Sequence, residues 1–423
     1  MKRKPFSLPF LPTPVRLEAV AVILLVVGAA CLLTPQARRN PERVAYYAVC
    51  PASTEVWEAE RGWKFGSVAV YKLASNRAPS GCKLVERPVG SAAKLAFTPS
   101  AQLRPLSSFY PSRYTGAGAR VAVVDTGVDY THPDLVHAVK VLVSFLVRTE
   151  RGMPLVWIVG VNGTLESARS FDAYVFDVVG VYAWLDENGH GTHVCGAIAG
   201  SGVASGGLYR GVAPGAELWV LKVFNRDGTA ALDAILDALY WLQDKPVDIV
   251  NLSFAVEGWG DGIDPVSAAV EQLARTGKIV VAAAGNDGAV PFTVAAPASS
   301  PFAIAVAAVD AEGRPALFSS WGGWRGNVKP DVAALGVGVV APIPTYPTRV
   351  APYALPSNRL YAALDGTSMA AAVASGVLAL WVEAVGREAL TANLQGFLQR
   401  RSAPTSPFFL KTFVNGYGLL LPP

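Results

Sequence analysis

The feature that most constrains this chain is a series of largely apolar runs, each of strand length, between residues 119 and 309. They are "ARVAVVD" (Ala119–Asp125), "ELWVLKVF" (Glu217–Phe224), "VDIVNLSF" (Val247–Phe254), "KIVVAAAGN" (Lys278–Asn286) and "PFAIAVAAV" (Pro301–Val309). None shows the alternation of a half-exposed strand, so each needs cover on both faces. The segments between them supply it. "TAALDAILDALYWLQD" (Thr229–Asp244) puts Leu232, Ile235, Leu236, Leu239 and Leu242 on one helical face. "DPVSAAVEQLARTG" (Asp264–Gly277) starts with an Asp cap and a Pro, and ends in Gly. "LDGTSMAAAVASGVLALWVEAV" (Leu364–Val385) reads as a turn followed by a buried helix, and "REALTANLQGFLQRR" (Arg387–Arg401) as a closing helix. The alternation predicts an α/β fold, a mostly parallel sheet with helices on both faces.

The first hundred residues have another character. Lys2, Arg3, Lys4 and Arg16 precede the apolar run Ala19–Leu33, whose 15 residues suit a signal peptide better than a full membrane span. Residues 1–34 therefore read as a signal peptide or an uncleaved anchor, and the body as exported, secreted or held at the cell surface. Residues 35–105 carry scattered Pro and Gly, one clear strand (Gly66–Ala74) and a loop-like end (Phe97–Ser108), and form a separate small domain before residues 106–423. Of the four cysteines, Cys50 and Cys82 either pair in an oxidising compartment or stay as buried thiols. The first 43 residues hold seven Lys/Arg and two Glu, so the formal +4 of the chain leaves the other 380 residues at −1. That balance gives no electrostatic footprint for nucleic acid.

Ser368 stands at the first turn of the long apolar helix. There a hydroxyl serves either as a cap or as a nucleophile favoured by the helix dipole. A nucleophile needs a base, and the chain has four histidines, His132, His137, His190 and His193. His190 lies between Gly189 and Gly191 in "ENGHGTHVCGAIAG", which suggests a tight backbone approach at a helix start. His190 and His193 are spaced to share a metal, but no third ligand cluster stands near them in sequence. A base needs an orienter, and Asp125 ends a buried strand, where parallel sheets bind ligands. Its D-T-G also occurs in aspartic proteases, which require a second such carboxylate; no second D-T-G or D-S-G is present.

Three motifs in the order Asp, His, Ser, "VAVVDTGVDYTHPDL", "NGHGTHVCGAIAG" and "GTSMAAAVASG", with "VVAAAGNDG" between the last two, give the chain its likeness: it resembles the subtilisin family of serine proteases over roughly residues 107–423. The resemblance implies a subtilisin-like fold preceded by a small α+β propeptide-like domain. It implies Ser368 as nucleophile, His190 as general base and acid, and Asp125 as the group that orients the imidazole. Asn286 would stabilise the oxyanion together with the Ser368 N–H. Ser253, Phe254, Ala255, Gly228, Ala284 and Gly285 would bind substrate. The partners implied are peptide and protein substrates, the chain's own propeptide as inhibitor, and a membrane if the apolar segment is kept.

No catalytic cofactor or metal is implied. Structural calcium is common in the family, but only Asp134 matches a ligand position, so no site is assignable. Some positions depart from the pattern. Ala371, Ala372 and Val373 replace the usual Ser-Pro-His, which predicts a straighter helix. Ala255 replaces Gly in the substrate strand, which predicts a narrower specificity pocket. Asp287 would stand at that pocket's rim, and the two together predict a preference for medium apolar or basic side chains. Cys195 is expected to be a buried structural thiol, and the insertion 138–186 to add a hairpin. The competing reading is a catalytically silent surface or binding protein that keeps the fold.

Overall fold

A computed structural model describes residues 44–423 except 55, 57–58, 89–92, 96–97, 101, 257–259, 261, 263, 323–327, 405–410 and 413. The basic and apolar N-terminal segment, 1–34, lies outside the described residues. Strands β1 (Val44–Pro51), β2 (Ala59–Phe65), β3 (Val68–Leu73) and β4 (Lys83–Pro88) form an antiparallel sheet in the order β2-β3-β1-β4. Cys50 and Cys82 continue the β1–β4 register one step beyond Val49↔Lys83 and are joined in a disulfide. No helix occurs among the described residues 44–105, where the resemblance implies an α+β domain. The connection from β3 to β4 carries Pro79 and Gly81 and runs through bends and a turn. Two short strands follow, β5 (Ala93–Lys94) and β6 (Thr98–Pro99).

The body is built on a ten-stranded sheet. Its members are β7 (Arg120–Asp125), β8 (Val139–Arg148), β9 (Pro154–Ile158), β10 (Glu217–Lys222), β12 (Ile249–Leu252), β13 (Ile279–Ala283), β14 (Ile304–Val309), β15 (Val332–Leu335), β19 (Ser402–Ala403) and β20 (Leu419–Leu420). The remaining strands, β11 (Thr229–Ala230), β16 (Val339–Pro342), β17 (Ala354–Leu355) and β18 (Asn358–Asp365), lie outside it. The order is β19-β20-β15-β14-β13-β12-β7-β10-β8-β9, and every pair is parallel except the two at the edges.

Helices cover both faces, which is why the strands are apolar throughout. On one face Val121, Val123, Val281 and Val306 pack with α2 (His190–Ala199) and α5 (Thr367–Val385). On the other, Ala122, Val124, Val250 and Val280 pack with α3 (Leu232–Trp241) and α4 (Pro265–Arg275). Helix α4 begins where Asp264 accepts the N–H groups of Val266 and Ser267.

The insertion contains the hairpin β8–β9 and also a helix, α1 (Leu165–Val179), that sequence reading did not anticipate. Thr164 caps it through the Ser167 N–H, and Gly180 ends it in the left-handed conformation. The closing segment is two helices, α6 (Arg387–Thr391) and α7 (Leu394–Arg400), rather than one. Asn393 breaks it by accepting the Gly396 N–H with its side chain. Helix α5 runs unbroken for 19 residues through Ala371, Ala372 and Val373.

Candidate active site

The carboxyl ends of three neighbouring strands supply the site. Asp125 ends β7, Ser253 follows β12 and Asn286 follows β13. Helices α2 and α5 begin above them, bringing His190 and Ser368. His190 Nδ1 lies 2.8 Å from Asp125 Oδ1 and 3.0 Å from Oδ2, and both residues are fully buried. The close approach depends on glycine at two places. A Cβ on Gly191 would sit 2.2 Å from the Gly127 carbonyl oxygen, and one on Gly189, at φ +105°, would sit 2.1 Å from Val350.

On the other side, Ser368 Oγ donates to the Ser253 carbonyl at 2.9 Å, and Ser253 Oγ donates to the Ser368 carbonyl at 3.0 Å. The start of α5 is thereby locked to the end of β12. Thr367 locks it to β13: its Oγ1 accepts the Gly285 N–H at 3.1 Å and donates to Asn286 Oδ1 at 2.9 Å. The Thr367 N–H also donates to Asn286 Oδ1, at 3.0 Å. A backbone N–H can only donate, so this contact fixes which end of the Asn286 amide is oxygen and turns its NH2 end away from Thr367.

Several residues that sequence reading passed over hold this geometry. Asp186 is fully buried. Its Oδ1 accepts from Thr126 Oγ1 (2.8 Å) and the N–H groups of Asn188 (3.0 Å) and Gly189 (2.7 Å). Its Oδ2 accepts the N–H and Oγ1 of Thr192 at 2.8 and 2.7 Å. Burial pushes its carboxyl up from the ordinary range, and these hydrogen bonds pull it back. Thr126 in turn accepts the Gly191 N–H at 2.9 Å, which ties the Asp125 loop to the first turn of α2.

The loop carrying Asp186 is clamped twice. Asp172 of α1 accepts the N–H groups of Ala183, Trp184 and Leu185. Lys222, at the end of β10 and nearly fully buried, donates to the carbonyls of Tyr182 (3.1 Å) and Leu185 (2.6 Å) and to Glu187 (3.1 Å). The insertion thus supports the loop ahead of His190 from behind. The sequence signal for it was the cap Thr164 and the stop Gly180 around an aromatic-rich stretch.

The other proposed residues fall as follows. Phe254 is buried, with its ring 5.3 Å from that of Phe224, and Ala284 is buried beside Gly285. Gly285 has φ +113°, and a Cβ there would meet Ser320 Oγ at 2.8 Å. Ala255 is half-buried and Asp287 exposed. The Gly228 carbonyl accepts the Leu95 N–H at 3.1 Å. His193 Nε2 lies 3.2 Å from the carbonyls of both Val339 and Ala362, and burial lowers its pKa to about 3, so it is a neutral strut. Cys195 is buried in the core, and burial pushes its thiol well up.

At Asp134, Oδ1 accepts the Ala204 N–H and Oδ2 accepts the Tyr361 O–H at 2.7 Å. No cluster of three His, Cys, Asp or Glu side chains suited to a metal occurs among the described residues.

Comparison with known proteins places this arrangement among relatives. The model of the Subtilase family matches residues 116–416. Serine protease AprX of Bacillus subtilis (strain 168) is 33% identical over 63% of this chain and 57% of its own length. Subtilisin BL of Lederbergia lenta is 34% identical over 63% of this chain and 77% of its own. The match thus spans little more than half of AprX. The solved structure of a psychrophilic protease superimposes with TM-score 0.57 and 27% identity, covering 76% of this chain and 99% of that one.

Proposed function

The chain belongs to the subtilase family, and from that premise we propose that it is an exported serine endopeptidase, made as a zymogen that processes itself. The observation that carries the reading is the buried Asp125–His190 pair at 2.8 Å beside a serine at the N-terminus of a buried helix. Asp125 holds Nδ1 protonated, which leaves Nε2 as the acceptor for the Ser368 proton. For attack, the Ser368 hydroxyl leaves the Ser253 carbonyl and turns to that nitrogen, a rearrangement that substrate binding completes. Its oxygen adds to the scissile carbonyl. The oxyanion so formed is met by the Asn286 amide and the Ser368 N–H, with the α5 dipole behind it. His190 then passes the proton to the leaving amine, and water resolves the acyl-enzyme. No step calls for a metal or cofactor.

Ser253, Phe254, Ala255, Gly228, Ala284 and Gly285 are assigned to substrate binding, with Ala255 and Asp287 setting a preference for medium apolar or basic side chains. Export rests on the basic flank ahead of the apolar run Ala19–Leu33, and on the Cys50–Cys82 disulfide, which suits an oxidising compartment. If that run is retained, it tethers the enzyme to a membrane. Residues 35–105 are read as the propeptide and inhibitor.

The test is labelling by a fluorophosphonate probe together with hydrolysis of unfolded protein. Both are expected in the wild type, and both should vanish in Ser368→Ala and His190→Ala. A wild type that neither labels nor hydrolyses overturns the reading in favour of a silent binding protein.

A further inference from the structure

Helix α1 of the insertion also walls a cavity. Arg169, Asp172, Ala173 and Phe176 recur at helical spacing and line one side of a space of about 620 Å³. The other walls are Tyr130 and Thr131 from the loop after β7, and Thr345 and Tyr346 from the loop after β16. Glu187 and Tyr182, from the loop ahead of His190, and Arg226, from the loop after β10, complete it. The loops after β7 and β10 leave the carboxyl ends of those strands, so the cavity lies at the same end of the sheet as the candidate site.

Its frame is held by the frame's own groups. Asp129 Oδ1 accepts the N–H and Oγ1 of Thr131 at 3.0 and 2.7 Å, and its Oδ2 accepts the N–H and Oγ1 of Thr345 at 2.9 and 2.8 Å. Asp172 accepts the Tyr130 O–H at 3.0 Å beside the N–H groups of the 183–185 turn. Glu187 is paired with Lys222 at 3.1 Å. The rings of Phe176 and Tyr182 stack at 4.3 Å, 16° from parallel. The carboxylates of Asp129, Asp172 and Glu187 are therefore each taken up. Arg169 and Arg226 are not: both are exposed, and neither side chain has a salt bridge or hydrogen bond among the described residues. Two such guanidinium groups beside a stacked pair of rings make a seat for an anion carried on an apolar body.

The cavity adjoins the cleft. Asn188, two residues before His190, donates from Nδ2 to the Arg226 carbonyl at 2.9 Å, and this bond is the partition. On one side of it Glu187 and Arg226 line the cavity of α1. On the other, Asn188, Asp227 and Gly228 line a smaller space of about 180 Å³ together with Leu95. A chain lying where Leu95 lies is one residue along each loop from the arginine-lined cavity.

We propose that the cavity of α1 is an exosite that binds an acidic side chain of the polypeptide being cut, away from the residues that flank the scissile bond. The inference rests on the endopeptidase reading. Arg169 and Arg226 take the carboxylate, and the Phe176–Tyr182 stack takes an apolar neighbour. The occupant is a tethered carboxylate rather than a free small anion because the cavity borders the cleft, and a carboxylate on a chain already held there arrives at high effective concentration. The contact is the same before and during the chemical step, so it acts on KM and not on kcat.

The test uses one cleavable peptide core carrying a tail of glutamates, glutamines or lysines at either end, with active sites counted by fluorophosphonate labelling. At one of the two ends the glutamate tail should lower KM about tenfold against the glutamine tail, the lower end for a hydrogen bond between charged groups, with kcat unchanged. The double variant Arg169→Ala/Arg226→Ala should lose that difference, and Arg169→Glu/Arg226→Glu should turn it in favour of the lysine tail. Equal KM for glutamate and glutamine tails at both ends, or a preference that survives the double alanine variant, overturns the proposal and leaves the endopeptidase reading intact. Turnover that responds to free glutarate with no preference among tails assigns the cavity to a small anion and also overturns it. A chain that neither labels nor cleaves overturns both.

Discussion

The ten-stranded sheet of the body and the four-stranded sheet of residues 44–88 are held in different ways. The large sheet is buried on both faces, and its contacts with α2, α3, α4 and α5 are mainly apolar. The small sheet offers one face to the body. Tyr47, Trp63, Phe65, Val70 and Val85 join the cluster of α3 and α4, and the contact is pinned by two carboxylates one turn apart on α3. Asp233 accepts from Tyr47 at 2.6 Å and pairs with Lys72 at 2.7 Å. Asp237 accepts from Trp63 at 2.9 Å and pairs with both Arg61 and Arg148. The small sheet is thus held from one face only, by an apolar patch continuous with the body's core and by these two carboxylates.

The comparison can be broken most strongly at the nucleophile. Ser368→Ala should lower hydrolysis by about 10⁶-fold, the size measured for this position in subtilisins, and should leave the small sheet docked. Asn286→Ala comes next, with a kcat loss of roughly 10²–10³, also the scale of subtilisin variants. Processing should slow in parallel, read as the rate at which full-length chain disappears.

Asp233→Ala attacks the other half of the comparison. It leaves Tyr47 and Lys72 of the small sheet without that carboxylate, at a cost of about 1–3 kcal/mol. In the Ser368→Ala background, limited proteolysis should then remove residues 44–88 sooner while the body resists as before. Equal loosening of both parts would show that they are one cooperative unit.

A pH-dependent effect concerns His193. Its pKa is about 3 in the folded state, against about 6.5 in the unfolded chain. Between those values the unfolded state binds a proton that the folded state refuses. Stability therefore falls on acidification from pH 6.5 toward 3, by at most about 1.4 kcal/mol per pH unit. His193→Gln keeps an N–H donor for Val339 and Ala362 but does not titrate. Denaturation midpoints at pH 4 and pH 7 should differ less in that variant.

What the sequence reveals of this molecule follows the same division. The large sheet was legible because strands buried on both faces must be written largely in Val, Ala, Ile and Leu. Asp125, His190, Ser368 and Asn286 were legible because they sit in long motifs at element ends. Asp186 and Asp172 were not, since their partners are mostly backbone N–H groups that carry no residue signature. Strands β5 and β6 were beyond reach for a related reason. "AK" and "TP" have no strand character of their own and are strands only because β11 and β18 lend them an edge. Helix α1 was missed: its cap Thr164 and stop Gly180 were there to read, but a run of aromatics and valines between them reads as β.

The cross-strand disulfide of the small sheet bears on how the protein would meet a reductant. Of the chain's four cysteines, Cys31, Cys50 and Cys82 all lie ahead of residue 106. Only Cys195 lies in the body, as a thiol sealed in the core. A thiol reagent therefore has a bond to open in the small sheet, while the body answers to it only if its core opens first.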